Sequence, residues 1–195
     1  QMQKGMDYLR KIHAVEVPTD GSIKIFDDFN EGLKLMKIAS ATKGNLLFEF
    51  ADEVDKAKKL DTYLKEDAKR MGINPVCCHN DTYEPNFLAT ADGDLYLIDW
   101  EYAGINDPAN DLACFFSRYE YSDEDINKYI KAYFQREPTA DEYRHWRAYI
   151  ALCAFYWICW GLYKGSVGDD DGFFFLPAYR NFHRFIDEAL ASYEK

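Results

Sequence analysis

The chain has 195 residues, with 23 Lys and Arg against 34 Asp and Glu and a formal net charge of −11. That length suits about one domain with a sizeable core, and 48% apolar against 29% charged residues excludes an intrinsically disordered chain. The acidic balance argues against a nucleic-acid partner, which requires a basic footprint over phosphates, and favours a cationic or metal-chelated one.

Residues 6–14 set Met6, Leu9, Ile12 and His13 at helical spacing. Two further helices are predicted over 27–39 and 53–71, separated by Gly44-Asn45; Gly72 followed by Asn74-Pro75 stops the second. The pattern then changes. Val76–Cys78 is a short apolar run, and two more, Phe87–Thr90 and Leu95–Ile98, flank Ala91-Asp92-Gly93-Asp94. An Asp-Gly pair between apolar runs predicts a β-hairpin. From Asp107 the chain turns helical again. Ser122 and Thr139 are predicted N-caps, and Thr139 with Glu142 forms a capping box. The helix begun there is expected to reach Tyr163, and a last helix to cover about 178–193. The whole is a mainly helical α+β unit with a small hairpin inserted.

Aromatic residues make up 17% of the chain. They fit either an ordinary core or an aromatic-lined pocket, and composition does not choose. Cys77, Cys78, Cys114, Cys153 and Cys159 lack CxxC spacing and are expected to be reduced, mostly buried thiols. No apolar run reaches the roughly 18 residues of a membrane span, and no charged-then-apolar leader opens the chain. The expected compartment is the cytoplasm.

The chemistry concentrates in Cys78-His79-Asn80-Asp81-Thr82-Tyr83-Glu84-Pro85-Asn86, just before the hairpin, and in Ile98-Asp99-Trp100-Glu101 at its far end. Phosphoryl transfer from ATP needs a carboxylate that accepts the proton of an alcohol, and hard oxygen ligands that hold Mg²⁺ on the phosphates. Asp81 suits the first role; Asn86 and Asp99 suit the second. A tight hairpin brings its two outer ends, and so Asn86 and Asp99, side by side. Protein-kinase catalytic loops have the same Asp-to-Asn spacing and a following metal-binding Asp.

On these residues the segment from His79 to Glu101 resembles the choline/ethanolamine-kinase and aminoglycoside-phosphotransferase superfamily, relatives of the protein kinases. Asn80 in HNDTYEPN and the stretch IDWEYAGINDPANDLA are most similar to bacterial choline kinases of the LicA type. The resemblance implies the C-terminal, helical lobe of a protein-kinase-like fold, its small β-hairpin carrying the catalytic loop. It implies Asp81 as base, Asn86 and Asp99 as Mg²⁺ ligands, Glu101 on the metal or substrate side, and His79 and Asp111 as supports, with Asp111 opening a helix. It also implies ATP as phosphoryl donor and choline as acceptor. No Gly-rich loop or strand Lys precedes His79, so residues 1–195 are expected to be that lobe alone, binding ATP poorly by itself.

The substrate clue is Trp157 and Trp160, spaced i, i+3 on one helix face. A quaternary ammonium cannot hydrogen-bond and is recognised by ring faces; choline kinases use a W-x-x-W helix in this way. Tyr179, and Tyr119 or Tyr121, are weaker candidates for the same cage. The alternatives are an aminoglycoside, ethanolamine or other small-alcohol kinase, or a non-catalytic quaternary-amine-binding module. Asp169–Asp171 is expected to be a solvated loop. Lys56, Lys58, Lys59, Lys65, Lys69 and Arg70 should form a solvent face, and His13, His145 and His183 take structural places with no partner apparent in the sequence.

Overall fold

The computed structural model describes residues 2–18, 20–169 and 172–194. Helix α1 (Met2–His13) buries Met6, Leu9 and Ile12, the stripe its spacing predicts. Helix α2 (Asp28–Lys43) is capped by Asp27, whose carboxylate accepts from the Asn30 N–H at 2.9 Å. It runs four residues beyond the expected end, because nothing stops it before Gly44 at φ 103°. A single turn, α3 (Leu46–Glu49), leads into α4 (Ala51–Met71), which ends on left-handed Gly72 with its N–H turned back to Lys69.

The strands form two small antiparallel sheets. Strand β1 (Val76–Cys78) pairs with β4 (Gly104–Asn106), and β2 (Phe87–Ala89) pairs with β3 (Leu95–Leu97) as the predicted hairpin. Strand β4 carries no strong sequence signal. It exists because Ile105 exchanges backbone hydrogen bonds with Lys24 and Phe26 on one side while β1 lies on the other. That approach leaves no room at Gly104, where a Cβ would lie 2.7 Å from the Lys24 carbonyl oxygen.

Asp107 caps α5 (Pro108–Ser117), accepting from Ala109 N–H at 2.9 Å, with Pro108 in the first helical position. Asp111, expected to open this helix, instead lies one turn inside it. Ser122 caps α6 (Asp123–Phe134), and the Thr139–Glu142 capping box opens α7 (Ala140–Ser166). Helix α8 (Gly172–Tyr193) starts six residues before the expected position, tolerating Pro177 near its start at the loss of one ladder bond.

Helix α7 is the mast of the fold. It is buried almost without interruption from His145 to Cys159, and α8, α2, α5 and α4 pack around it. A helix apolar all round belongs in an interior. All five cysteines are free, and burial pushes the thiols of Cys78, Cys153 and Cys159 well up. No helix among the described residues is long and apolar enough to cross a membrane.

Most of the charged face predicted on α4 is exposed; Lys56 is half-buried and pairs with Asp52 and Asp187. The histidines do have partners: His145 sits beside Asp107 at 2.9 Å, and His183 beside Glu53 at 3.2 Å. Asp170 and Asp171 lie outside the described residues, while Asp169 pairs with Lys164 at 2.7 Å. The architecture is the helical lobe of a kinase-like fold.

Candidate active site

The loop after β1 is pinned from beneath. Asp111, fully buried on α5, accepts the N–H of His79 at 3.0 Å and of Asn80 at 2.7 Å. His13 of α1 adds a third contact to Asp111 at 3.0 Å and meets the Tyr133 hydroxyl with its other ring nitrogen. Thr82 closes the set by donating to the Asp111 carbonyl. Three elements distant in sequence thus converge on one carboxylate, and charge-assisted bonds of this kind are the strong ones.

The ligand atoms of His13, Cys78 and Asp111 lie within 4.8 Å of one another. They suit a buttress better than a metal site: both Asp111 oxygens already accept N–H donors, and burial with the nearby Asp111 charge keeps Cys78 a thiol.

Asn80 takes φ 61°, a left-handed conformation that Asn tolerates better than most residues. Its side chain repays the strain: the amide donates to the Tyr102 carbonyl, and the oxygen accepts from Asn106 and Asn110 at 3.0 and 2.9 Å. His79 is held as well. Its Nδ1 accepts the Asp81 N–H, so the proton sits on Nε2, which donates to the Ile98 carbonyl at 2.9 Å. The end of β3 is thereby locked to the loop.

Asp81 emerges from this frame with 7% of its surface exposed. One carboxylate oxygen accepts from the Arg118 guanidinium, and the other accepts from the Asn86 amide at 3.1 Å. The Asn86 amide also donates to the Asp81 carbonyl at 3.0 Å. Burial pushes the Asp81 carboxyl above its ordinary 3.8, while Arg118 acts against the rise. The Asn86 carbonyl accepts the Ile98 N–H at 3.0 Å, extending the ladder one rung past the hairpin and setting Asp99 next to it. Asp99 is exposed at φ 66°, and its carboxylate has no hydrogen bond or ion pair among the described residues. Glu101 is exposed in the following turn.

These donors suit a divalent ion. With its amide committed to Asp81, Asn86 has only its side-chain oxygen left to offer, and Asp99 adds an unpaired carboxylate; both are the hard oxygens Mg²⁺ prefers.

The aromatic residues behave less simply. Trp157 is 1% exposed, and the Arg118 guanidinium carbon lies 3.9 Å from its ring centroid. Trp160 is half-buried, packs on Trp157 and Phe174, and donates its indole N–H to the Tyr102 hydroxyl at 3.0 Å. Tyr119 stacks on Tyr83, one layer out, and Tyr121 donates to Glu84. Among the described residues, Tyr179 packs on Phe175 and His183 and on neither tryptophan.

Sequence reasoning missed Arg118, which covers Trp157, and Tyr83 and Phe174, which pack around the same guanidinium. The available signals were positional. Tyr83 lies two residues past Asp81, and Arg118 lies two helical turns past Asp111.

Comparison with known proteins follows the same lines. The chain is 30% identical over 138 residues to the protein LicA of Haemophilus influenzae, covering 65% of this chain and 49% of that protein. Its fold matches a choline/ethanolamine kinase family protein from Mesorhizobium loti with a TM-score of 0.76 at 24% identity, over 98% of this chain and 66% of that one. It matches the choline kinase LicA from Streptococcus pneumoniae with a TM-score of 0.69 at 25% identity, over 98% and 63%. The chain thus spans about half the length of the curated relative it matches. The sequence profile for choline/ethanolamine kinase matches residues 4–151, and the chain belongs to the choline/ethanolamine kinase family.

Proposed function

We propose that this chain is the C-terminal lobe of a small-molecule kinase that transfers the γ-phosphoryl group of ATP to the hydroxyl of a small amino alcohol, choline foremost. The supporting observation is the Asp81–Asn86 pair. A buried carboxylate is held at both oxygens on a loop braced by Asp111, next to the strand end that carries Asp99.

In this reading the substrate hydroxyl rests against Asp81. Its oxygen attacks the γ-phosphorus, the bond to the bridging oxygen breaks, ADP leaves, and the hydroxyl proton passes to the Asp81 carboxylate. Asn86 fixes the rotamer of Asp81 through its amide. Asn86 and Asp99 would hold Mg²⁺, which supplies charge neutralisation on the phosphates when bound. The nucleotide would be covered by a second lobe outside this chain. The acidic net charge adds long-range attraction for a cationic alcohol.

The test is Asp81→Asn in the longest natural polypeptide carrying this sequence, assayed for ADP release with choline, ethanolamine and an aminoglycoside. Loss of a positioned base lowers the rate by about 10² to 10⁴. A variant that keeps its full rate removes Asp81 from the chemistry, and phosphorylation of the aminoglycoside alone removes the amino-alcohol assignment.

A further inference from the structure

Three aromatic rings converge in front of Asp81, and the cation between them belongs to the protein. The Arg118 guanidinium carbon lies 3.9 Å from the Trp157 centroid, 4.5 Å from Tyr83 and 5.7 Å from Phe174, all within the range of cation–π attraction. The same group donates to the Asp81 carboxylate and to the Cys114 sulfur. Arg118 is only 6% exposed. It therefore meets the two demands a quaternary ammonium alcohol would make of this site: ring faces for the charge, and a carboxylate nearby.

We infer that Arg118 is a specificity-determining residue that occupies the aromatic face as a tethered cation, so that a quaternary ammonium substrate binds only by displacing it. This rests on the reading of Asp81 as the residue that receives the substrate hydroxyl. The physical case is simple exclusion. Two cations cannot share one ring face at van der Waals distance, and Trp157 has almost no other exposed surface to offer. The occupant is also imperfectly held. Arg118 Nε and Trp157 Nε1 are both buried with no hydrogen-bond partner among the described residues, so outward movement of the side chain would return a stranded donor to water. Arg118 is the C-cap residue of α5, where a side chain can swing without disturbing a helical ladder.

Removing the tethered cation should free the ring face and also leave the Asp81 charge to be matched by the ligand. Calorimetric titration of the wild-type chain, Arg118→Met and Arg118→Gln with choline and with 3,3-dimethylbutan-1-ol separates charge from shape, because the second ligand is the uncharged isostere. The expected result is choline binding about tenfold tighter or more in both variants, within the range of one or two cation–π contacts, with less than a threefold change for the isostere. Choline affinity that is unchanged, weakened or undetectable in variants retaining the wild-type near-ultraviolet dichroism overturns the proposal, and so does equal tightening of both ligands.

A measurement on the wild type needs no variant. The Arg118 side-chain NMR signals, shifted by the Trp157 ring current, should move to their solvent positions as choline is added; signals that stay in place up to saturation also overturn it. None of these readouts requires phosphoryl transfer, so a catalytically silent protein would count against the kinase reading alone.

Discussion

Asp28, the first residue of α2, is 3% exposed, and burial pushes its carboxyl up from 3.8 to about 7. One oxygen accepts from Asn106 at 2.9 Å; the other has no partner among the described residues. A helix N-terminus favours an anion by about 0.3–1 kcal/mol, which is too little to offset the desolvation of a fully buried carboxylate. Below pH 3.8 the carboxyl is protonated in both folded and unfolded chains. Between 4 and 7 only the unfolded chain sheds the proton, so the wild type loses about 1.4 kcal/mol of stability for each pH unit. The interval from 3.8 to about 7 corresponds to about 4 kcal/mol, an upper figure because the site can relax. Asp28→Asn keeps the shape and an acceptor for Asn106 without the ionisation. Urea denaturation at pH 4.5 and pH 8 should find the two proteins within about 1 kcal/mol at the acid end and the variant more stable by about 2–4 kcal/mol at the alkaline end. A stability difference that does not change with pH would refute the assignment of Asp28 as the titrating group.

Further outcomes follow from the same geometry. Asp111→Asn substitutes an amide donor for one acceptor of two backbone N–H groups, and should cost about 3 kcal/mol in urea unfolding while abolishing turnover. Gly104→Ala sets a methyl group against the Lys24 carbonyl and should lower stability by about 1–3 kcal/mol, read as a fall in melting temperature. Asp99→Asn should raise the Mg²⁺ concentration needed for half-maximal rate at least tenfold, with unchanged thermal stability, since its carboxylate has no partner to lose among the described residues. The Asp81 carboxyl, raised by burial, must be ionised to accept a proton, so the acid limb of the rate profile should lie above the range of an ordinary aspartate. In Arg118→Met, where the opposing charge is gone, that limb should move further towards neutral pH.

Much of this was legible in local sequence because local chemistry decides it. The Asp92-Gly93 turn, the Ser122 and Thr139 caps and the Gly72 stop each act over a few residues, and each is found where the sequence places it. The Asp81-to-Asn86 spacing likewise produces a direct side-chain contact. What escaped depends on partners far away in the chain. Strand β4 forms because Lys24 and Val76 come to it, and His13 becomes a support only when α1 delivers it to Asp111. Arg118 reads as an unremarkable basic residue at a helix end until the fold folds it back over Trp157. Tryptophans spaced i, i+3 on one face establish that the two rings neighbour each other, and they do, at 5.5 Å between centroids. Spacing says nothing about what lies in front of them.

The mast helix has a further corollary. Trp157 belongs to its innermost packing, wedged among Tyr102, Tyr156 and Trp160. Replacing that ring would hollow out the interior before it altered any preference for a ligand, since voids at such positions cost several kcal/mol. An exchange at Arg118 on the end of α5, at Tyr83 on the loop after β1 or at Phe174 near the start of α8 touches the layer around that guanidinium and leaves the mast's own packing in place.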